Sequence, residues 1–258
     1  METPNCSLTY ERTMEVALVT VGDELLAGDT QNTNATWLAE QLHDRGVTVT
    51  RVLTVPDEME AIAENVRAYS DAYDAVIVTG GLGGTPDDIT MAAVADAFDR
   101  DLAVDDLALA DVEETLEAIA ETYPDLNVDA ELEATIPAGS RPLLNRAGIA
   151  PGCVLENVYV LPGIPSEMEA MFESVADEFE GDTEAAYLYT PQPEAHLIEP
   201  LTDVGMKFEV SVGCYPDRDA NHNRLKVSSE DRDQIDAAVA WLRDELEVYD
   251  DPADAKRE

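Results

Sequence analysis

The chain has 258 residues, 45% of them apolar, with 56 acidic side chains against 15 basic ones and a formal net charge of −41. That length suits one domain of ordinary size plus a small one, and no apolar run approaches the ~20 residues of a membrane helix. No Lys/Arg stripe is present to displace counterions from nucleic acid, so nucleic acid is excluded as an expected partner. The acids are scattered over helix faces and loops rather than gathered in a tail. We read this as adaptation to concentrated salt, where a Debye length of about 3 Å at 1 M relieves self-repulsion. Residues 1–13, METPNCSLTYERT, show no basic start followed by an apolar stretch, so a cytoplasmic protein is expected. Cys6, Cys153 and Cys214 are odd in number and lack metal spacing, which reads as reduced thiols. His43, His196 and His222 are isolated from one another, leaving little for a zinc site or a histidine-based triad.

In chain order, Met14 to Val21 reads as a first buried strand, followed by a glycine-bounded, acid-bearing turn from Gly22 to Thr30. Asn32 to Arg45 is amphipathic and stops at Gly46, and Val47 to Val55 alternates as a second strand. Asp57 and Glu60 have capping-box spacing ahead of the next helix. AVIVT, residues 75–79, is a β-branched run of the kind buried on both sheet faces. It enters Gly80-Gly81-Leu82-Gly83-Gly84 and then Thr85-Pro86-Asp87-Asp88, before a helical pattern at Met91, Val94, Ala95 and Phe98. Strand, glycine turn and helix start together make an anion site, because free N–H groups and the helix dipole point into one concavity. Neither a P-loop nor a G-x-G-x-x-G fingerprint fits. One carboxylate suffices for a helix cap, so the pair Asp87 and Asp88 leaves one side chain for a cation or a proton.

Asp105 to Tyr123 reads as a long acidic helix, apolar at Leu107, Leu109, Val112, Leu116 and Ile119, and residues 127–153 as an irregular region. Val158 to Leu161 is a last strand of the first domain, and Pro162-Gly163-Ile164-Pro165 turns into a helix with Ser166 and Glu169 in capping-box spacing. After a linker at residues 180–183, the pattern is β-α-β-β-α, a small α+β module. Residues beyond Asp250 look frayed.

TGGLGGTPDDIT resembles the signature of the molybdopterin-binding domain shared by MoaB, MogA, MoeA and CinA proteins. Leu82 and the double acid look most like the CinA branch, which usually carries Pro where this chain has Gly84. LPGIPSEM is similar to a second signature of that family, and Asn145, Gly148, Ala150, Pro151 and Gly152 match its N…G.APG run. VSVGCYPD…NRLKVSS resembles the KH-like domain that follows in CinA proteins. The resemblance implies a three-layer α/β sandwich with a mostly parallel sheet over residues 14–180, plus a KH-like α+β domain over 185–248. It further implies that Gly22, Asp23, Asn32, Asn34, Gly80, Gly81, Leu82, Gly83, Thr85, Pro162, Gly163 and Pro165 bind the substrate. Asp57 and Asp88 would be catalytic acids, and Glu24, Asp87 and Asp88 would hold Mg²⁺ or another divalent metal. Carboxylates without histidine favour such a hard ion. The implied activity is metal-dependent hydrolysis of a nucleotide pyrophosphate such as ADP-ribose. The alternatives are molybdopterin adenylyl transfer or a protein that only binds a pterin or nucleotide. A homo-oligomer is implied, dimer before trimer.

Overall fold

The computed structural model describes residues 13–218 and 220–255; Cys6 and the stretch before Thr13 lie outside them. The fold divides into two compact units between Gly181 and Asp182.

The first unit runs β1 (Glu15–Val21), α1 (Asp23–Ala27), α2 (Thr33–Asp44), β2 (Thr48–Val55), α3 (Met59–Ala72), β3 (Ala75–Thr79), α4 (Thr90–Ala97), β4 (Leu102–Val104), α5 (Asp106–Ile119), α6 (Ala130–Glu133), β5 (Thr135–Pro137), β6 (Arg141–Leu143), β7 (Gly152–Leu155), β8 (Val158–Leu161) and α7 (Pro165–Glu173). Six strands form one sheet in the order β2-β1-β3-β8-β7-β6. β2, β1, β3 and β8 are parallel, β7 pairs antiparallel with β8, and β6 pairs antiparallel with β7. Every residue of β3 and β8 is buried, which is why both read as unbroken apolar runs rather than alternating ones. On one face, Val16, Leu18, Ile77 and Leu161 pack under Leu38 and Leu42 of α2 and Met168, Met171 and Phe172 of α7. On the other, Val19, Val21, Val76, Val78 and Val160 pack under Ile62 and Val66 of α3 and Val94 of α4. Two cores flanking one sheet make the expected three-layer α/β sandwich.

The chain leaves β1 towards β2 on one side, and returns past β1 to β3 and β8 on the other. The crevice outside the carboxyl ends of β1 and β3 is therefore a topological switch point, where open α/β sheets place ligands.

Several local expectations are corrected. Residues 127–153 are not irregular throughout; they contain α6, β5 and β6, with β7 starting at Gly152. Strands of three residues and a helix of four are too short to leave a periodicity. α5 starts one residue later than expected because the Asp105 carboxylate caps it, and Leu107, one of its apolar positions, is 67% exposed. Neither capping box forms: α3 and α7 begin at Met59 and Pro165, after Glu58 and Ile164, without a side-chain cap. Past Asp250 the chain makes turns and buries Ala255.

The second unit is β9 (Glu184–Thr190), α8 (Glu194–Lys207), β10 (Ser211–Asp217), β11 (His222–Ser229) and α9 (Arg232–Glu245), with an antiparallel sheet in the order β10-β11-β9. Leu197 and Val204 of α8 and Ile235, Ala238 and Leu242 of α9 cover one face of that sheet, over Leu188, Leu225 and Val227. Cys153 and Cys214 are free thiols, and burial pushes Cys153 up to about 12, so it is an inert packing residue. Among the described residues no helix is long and apolar enough to cross a membrane.

Candidate active site

Strands β1, β3 and β8 all end at the same edge of the sheet, and each hands over to a loop that helps to build one cleft of about 1250 Å³. The floor is the glycine turn after β3. Gly80 has φ 99°, and a Cβ there would lie 2.3 Å from the Val21 carbonyl oxygen. Gly81 has φ 66°, and its Cβ would lie 2.3 Å from Thr90 Oγ. Only glycine lets this turn pass so close to the end of β1 and the start of α4. The far wall is the turn after β8, Pro162 to Pro165, whose Gly163 carbonyl accepts a 2.8 Å hydrogen bond from Asn34 Nδ2. A third wall comes from Asn127 to Glu133 around α6, and a fourth from Gly148 to Ala150.

Asp88 and Glu133 give this cleft its chemical character. The Asp88 carboxylate folds back on its own turn, where Oδ2 accepts from the Thr85 N–H at 3.0 Å and the Thr85 hydroxyl at 2.5 Å. No side chain caps α4, so Asp88 is not the helix cap that a plain reading of the turn suggests. A Cβ on Gly83 would fall 2.6 Å from Asp88 Oδ2, and one on Gly84 would fall 2.7 Å from Glu133 Oε1. Two successive glycines thus leave room for two carboxylates, and Gly84 stands where the CinA pattern usually has proline. Burial, and then the charge of Asp88, push the Glu133 carboxyl above its ordinary value. A carboxyl so placed retains a proton more readily than an ordinary glutamate and suits acid–base work.

Of the residues picked out from sequence, Glu24, Gly80, Gly81, Leu82, Gly83, Thr85, Asp88, Pro162, Gly163 and Pro165 line the cleft together. Gly22, Asp23, Asn32, Asn34, Asp57 and Asp87 do not. The Asp57 carboxylate instead accepts the Asp23 N–H at 2.8 Å and ties the loop after β2 to the start of α1. Asn32 caps α2 through its side-chain oxygen, while its amide donates to Thr20 Oγ at 2.9 Å, so both ends are spent inside the fold. Asp87 is exposed. Among the described residues no three His, Cys, Asp or Glu side chains converge as a metal site, so Glu24, Asp87 and Asp88 do not form a ready three-carboxylate cage.

Sequence reasoning passed over Glu133, Leu132 and Ile164 as lining residues. Asp129 also lines the cleft, but its carboxylate caps α6 by accepting from the Glu131 and Leu132 N–H groups. Glu167 is likewise engaged, accepting from Asn145 Nδ2 at 2.7 Å, while the same amide donates to the Ala150 carbonyl at 2.9 Å. Asn145, matched above by family pattern, therefore ties the Gly148–Ala150 wall to α7.

Comparison with known proteins agrees with this architecture. Residues 17–180 match the family described as a probable molybdopterin binding domain, and residues 183–250 match the middle domain of FAD synthase. A protein of Archaeoglobus fulgidus is 35% identical over 236 residues, 90% of this chain and 98% of that one. A protein of Pyrococcus furiosus is 33% identical over 242 residues, 89% of this chain and 96% of that one. The crystal structure of the protein CinA from Thermoplasma acidophilum, titled as of unknown function, is 34% identical, with a TM-score of 0.57 over 65% of this chain and 98% of that one. From these matches and the three-layer fold, the chain is a CinA-like member of the molybdopterin-binding domain family.

Proposed function

We propose that the cleft is the active site of a metal-assisted hydrolase acting on the pyrophosphate of a nucleotide such as ADP-ribose. One observation carries this reading: five acids line the cleft, Glu24, Asp88, Asp129, Glu133 and Glu167, and among the described residues no basic one does. A phosphate held there would rely on backbone N–H groups of the glycine turn and on a counter-ion. Asp129 and Glu167 are engaged within the fold; Asp88, whose two Thr85 hydrogen bonds both fall on Oδ2, would hold it together with Glu24, while Glu133 serves as the base. Two carboxylates fit Mg²⁺, which takes one or two protein ligands and completes its shell with phosphate oxygens and water. When bound, Mg²⁺ supplies neutralisation of phosphate charge and polarisation of the phosphorus centre.

The side chains would then divide the work. Glu133, with its raised pKa, takes the proton of the attacking water, and the water oxygen forms its bond to one phosphorus. The bridging P–O bond breaks, so that ADP-ribose and water give AMP and ribose 5-phosphate. Leu82, Leu132, Ile149 and Ile164 provide apolar wall for a planar base. Asp57 and Asn34 act by positioning, holding the β1–α1 loop and the Gly163 turn.

A thermal-shift panel of ADP-ribose, ATP and molybdopterin, each with and without Mg²⁺ in molar KCl, tests the reading. ADP-ribose stabilisation that requires the metal supports it. Stabilisation by molybdopterin alone, or by molybdopterin with ATP and metal, would move the function to pterin binding or adenylyl transfer.

A further inference from the structure

We propose that the open face of the β10-β11-β9 sheet is a second ligand site, independent of the cleft, that binds a single nucleotide by stacking its base on tyrosine and arginine. Helices α8 and α9 cover one face of this sheet, and the register shows what the other carries. Tyr187 pairs with Lys226, which pairs with Gly213; in the next row Tyr189 pairs with Arg224, which pairs with Tyr215. Six neighbouring positions thus hold three tyrosines, one arginine, one lysine and one glycine, and the row beyond them pairs Asp217 with His222, whose ring stacks on Tyr189 at 5.3 Å.

The arrangement is built as a platform. The Arg224 guanidinium lies 5.6 Å from the Tyr187 ring centre and 5.4 Å from that of Tyr215. Tyr215 is 47% exposed and Tyr187 39%. A Cβ on Gly213 would come within 2.7 Å of the Tyr215 ring, so glycine there lets that ring lie down over the strand. Burial, and then the charge of Arg224, lower the Lys226 pKa, a repulsion that an incoming phosphate would relieve. Flat rings with an interleaved guanidinium stack on any base, and the adjacent ammonium meets its phosphate. A long nucleic acid would meet the −41 charge of the chain beyond this small cationic face, whereas one nucleotide covers the face alone.

The test is an amide chemical-shift titration of the ¹⁵N-labelled full chain with AMP at constant molar KCl. Ribose 5-phosphate serves as the control without a base, and an eight-nucleotide single-stranded RNA as the polymer. The expected result is saturable shifts in β9, β10 and β11 with AMP, and about tenfold or greater weakening in Tyr215→Ala and in Arg224→Ala. Ribose 5-phosphate should bind at least about tenfold more weakly, and RNA no more tightly than AMP per site. Melting curves within a few degrees of wild type would show that both variants are folded, and neither should change turnover in the cleft. Unchanged AMP shifts in both folded variants would overturn the proposal. RNA binding about a hundredfold tighter than AMP would replace the nucleotide with nucleic acid. The same shifts appearing on concentration without AMP would assign the face to a second copy of the chain.

Discussion

Replacing Asp88 with Asn separates the chemistry of this carboxylate from its structural work. In the wild type, Oδ2 accepts two hydrogen bonds from Thr85, at 3.0 and 2.5 Å. The Asn carbonyl oxygen can accept the same pair, so the variant loses charge rather than partners. Hydrogen bonds to a charged acceptor are worth about 1.5–3 kcal/mol and neutral ones about 0.5–1.5. The expected loss is therefore about 1 kcal/mol per bond and about 2 kcal/mol for the pair, a fall in Tm of about 4–8 °C for a unit of this size. The negative charge that holds the counter-ion disappears entirely, and ADP-ribose turnover should fall about a hundredfold or more, at least about 2.7 kcal/mol in the barrier. A second signature belongs to Glu133. Its raised pKa owes its second contribution to the Asp88 charge, so the acidic limb of the pH–rate profile, which protonation of this base sets, should move to lower pH in any residual activity. Steady-state kinetics across pH, together with melting curves, provide the assay. Turnover equal to wild type would refute the role given to Asp88. A collapse in Tm of more than about 10 °C would show that the turn, not the charge, was what mattered.

Glu133→Gln should raise the melting temperature at pH 7 and leave it unchanged near pH 4. A carboxyl whose folded pKa is raised costs stability once pH rises above its unfolded value of 4.5, and below that value both states carry the proton. A variant that melts lower than wild type at pH 7 would contradict that sign. Gly80→Ala forces a Cβ to 2.3 Å from the Val21 carbonyl at φ 99°, so expression of folded protein or its Tm should fall by more than a surface Gly→Ala change produces. A neutral effect would mean that the β1 and β3 ends are not packed as described. On salt, the unfolding midpoint should rise between about 0.1 and 2 M KCl, because −41 charges repel over a shorter range at the higher concentration. A flat response would remove the reading of the acidity as an adaptation to salt.

The fold was legible because its strands announce themselves. AVIVT and VYVL are buried on both faces and cannot be anything but interior strands once the glycine turns that follow are noticed. The cleft was legible where it depends on glycine and proline, because backbone approach restricts those positions to few residue types. Carboxylate roles were not legible in the same way. Asp57, with capping-box spacing, turns to the Asp23 N–H, and Asn32 caps a helix rather than facing a ligand. Both choices depend on which loop lies opposite, and no local pattern records that. Glu133 was hidden twice, by a helix of four residues and by the 55 other acids in the chain. Only the three-dimensional meeting of α6 with the glycine turn distinguishes it, through the space that Gly84 leaves open.

In this reading the cleft splits a nucleotide pyrophosphate with a metal held by Asp88 and Glu24 and with Glu133 as the base. Phosphorus NMR of ADP-ribose incubated with the full chain in molar KCl tests it most directly, with Mg²⁺ present, with excess chelator, and with Glu133→Gln in place of the wild type. The two pyrophosphate resonances should give way to two monoester resonances only with Mg²⁺ and the wild-type glutamate. Equal conversion in chelator or in the variant, or no conversion by a wild-type chain that ADP-ribose and Mg²⁺ together stabilise, would contradict it.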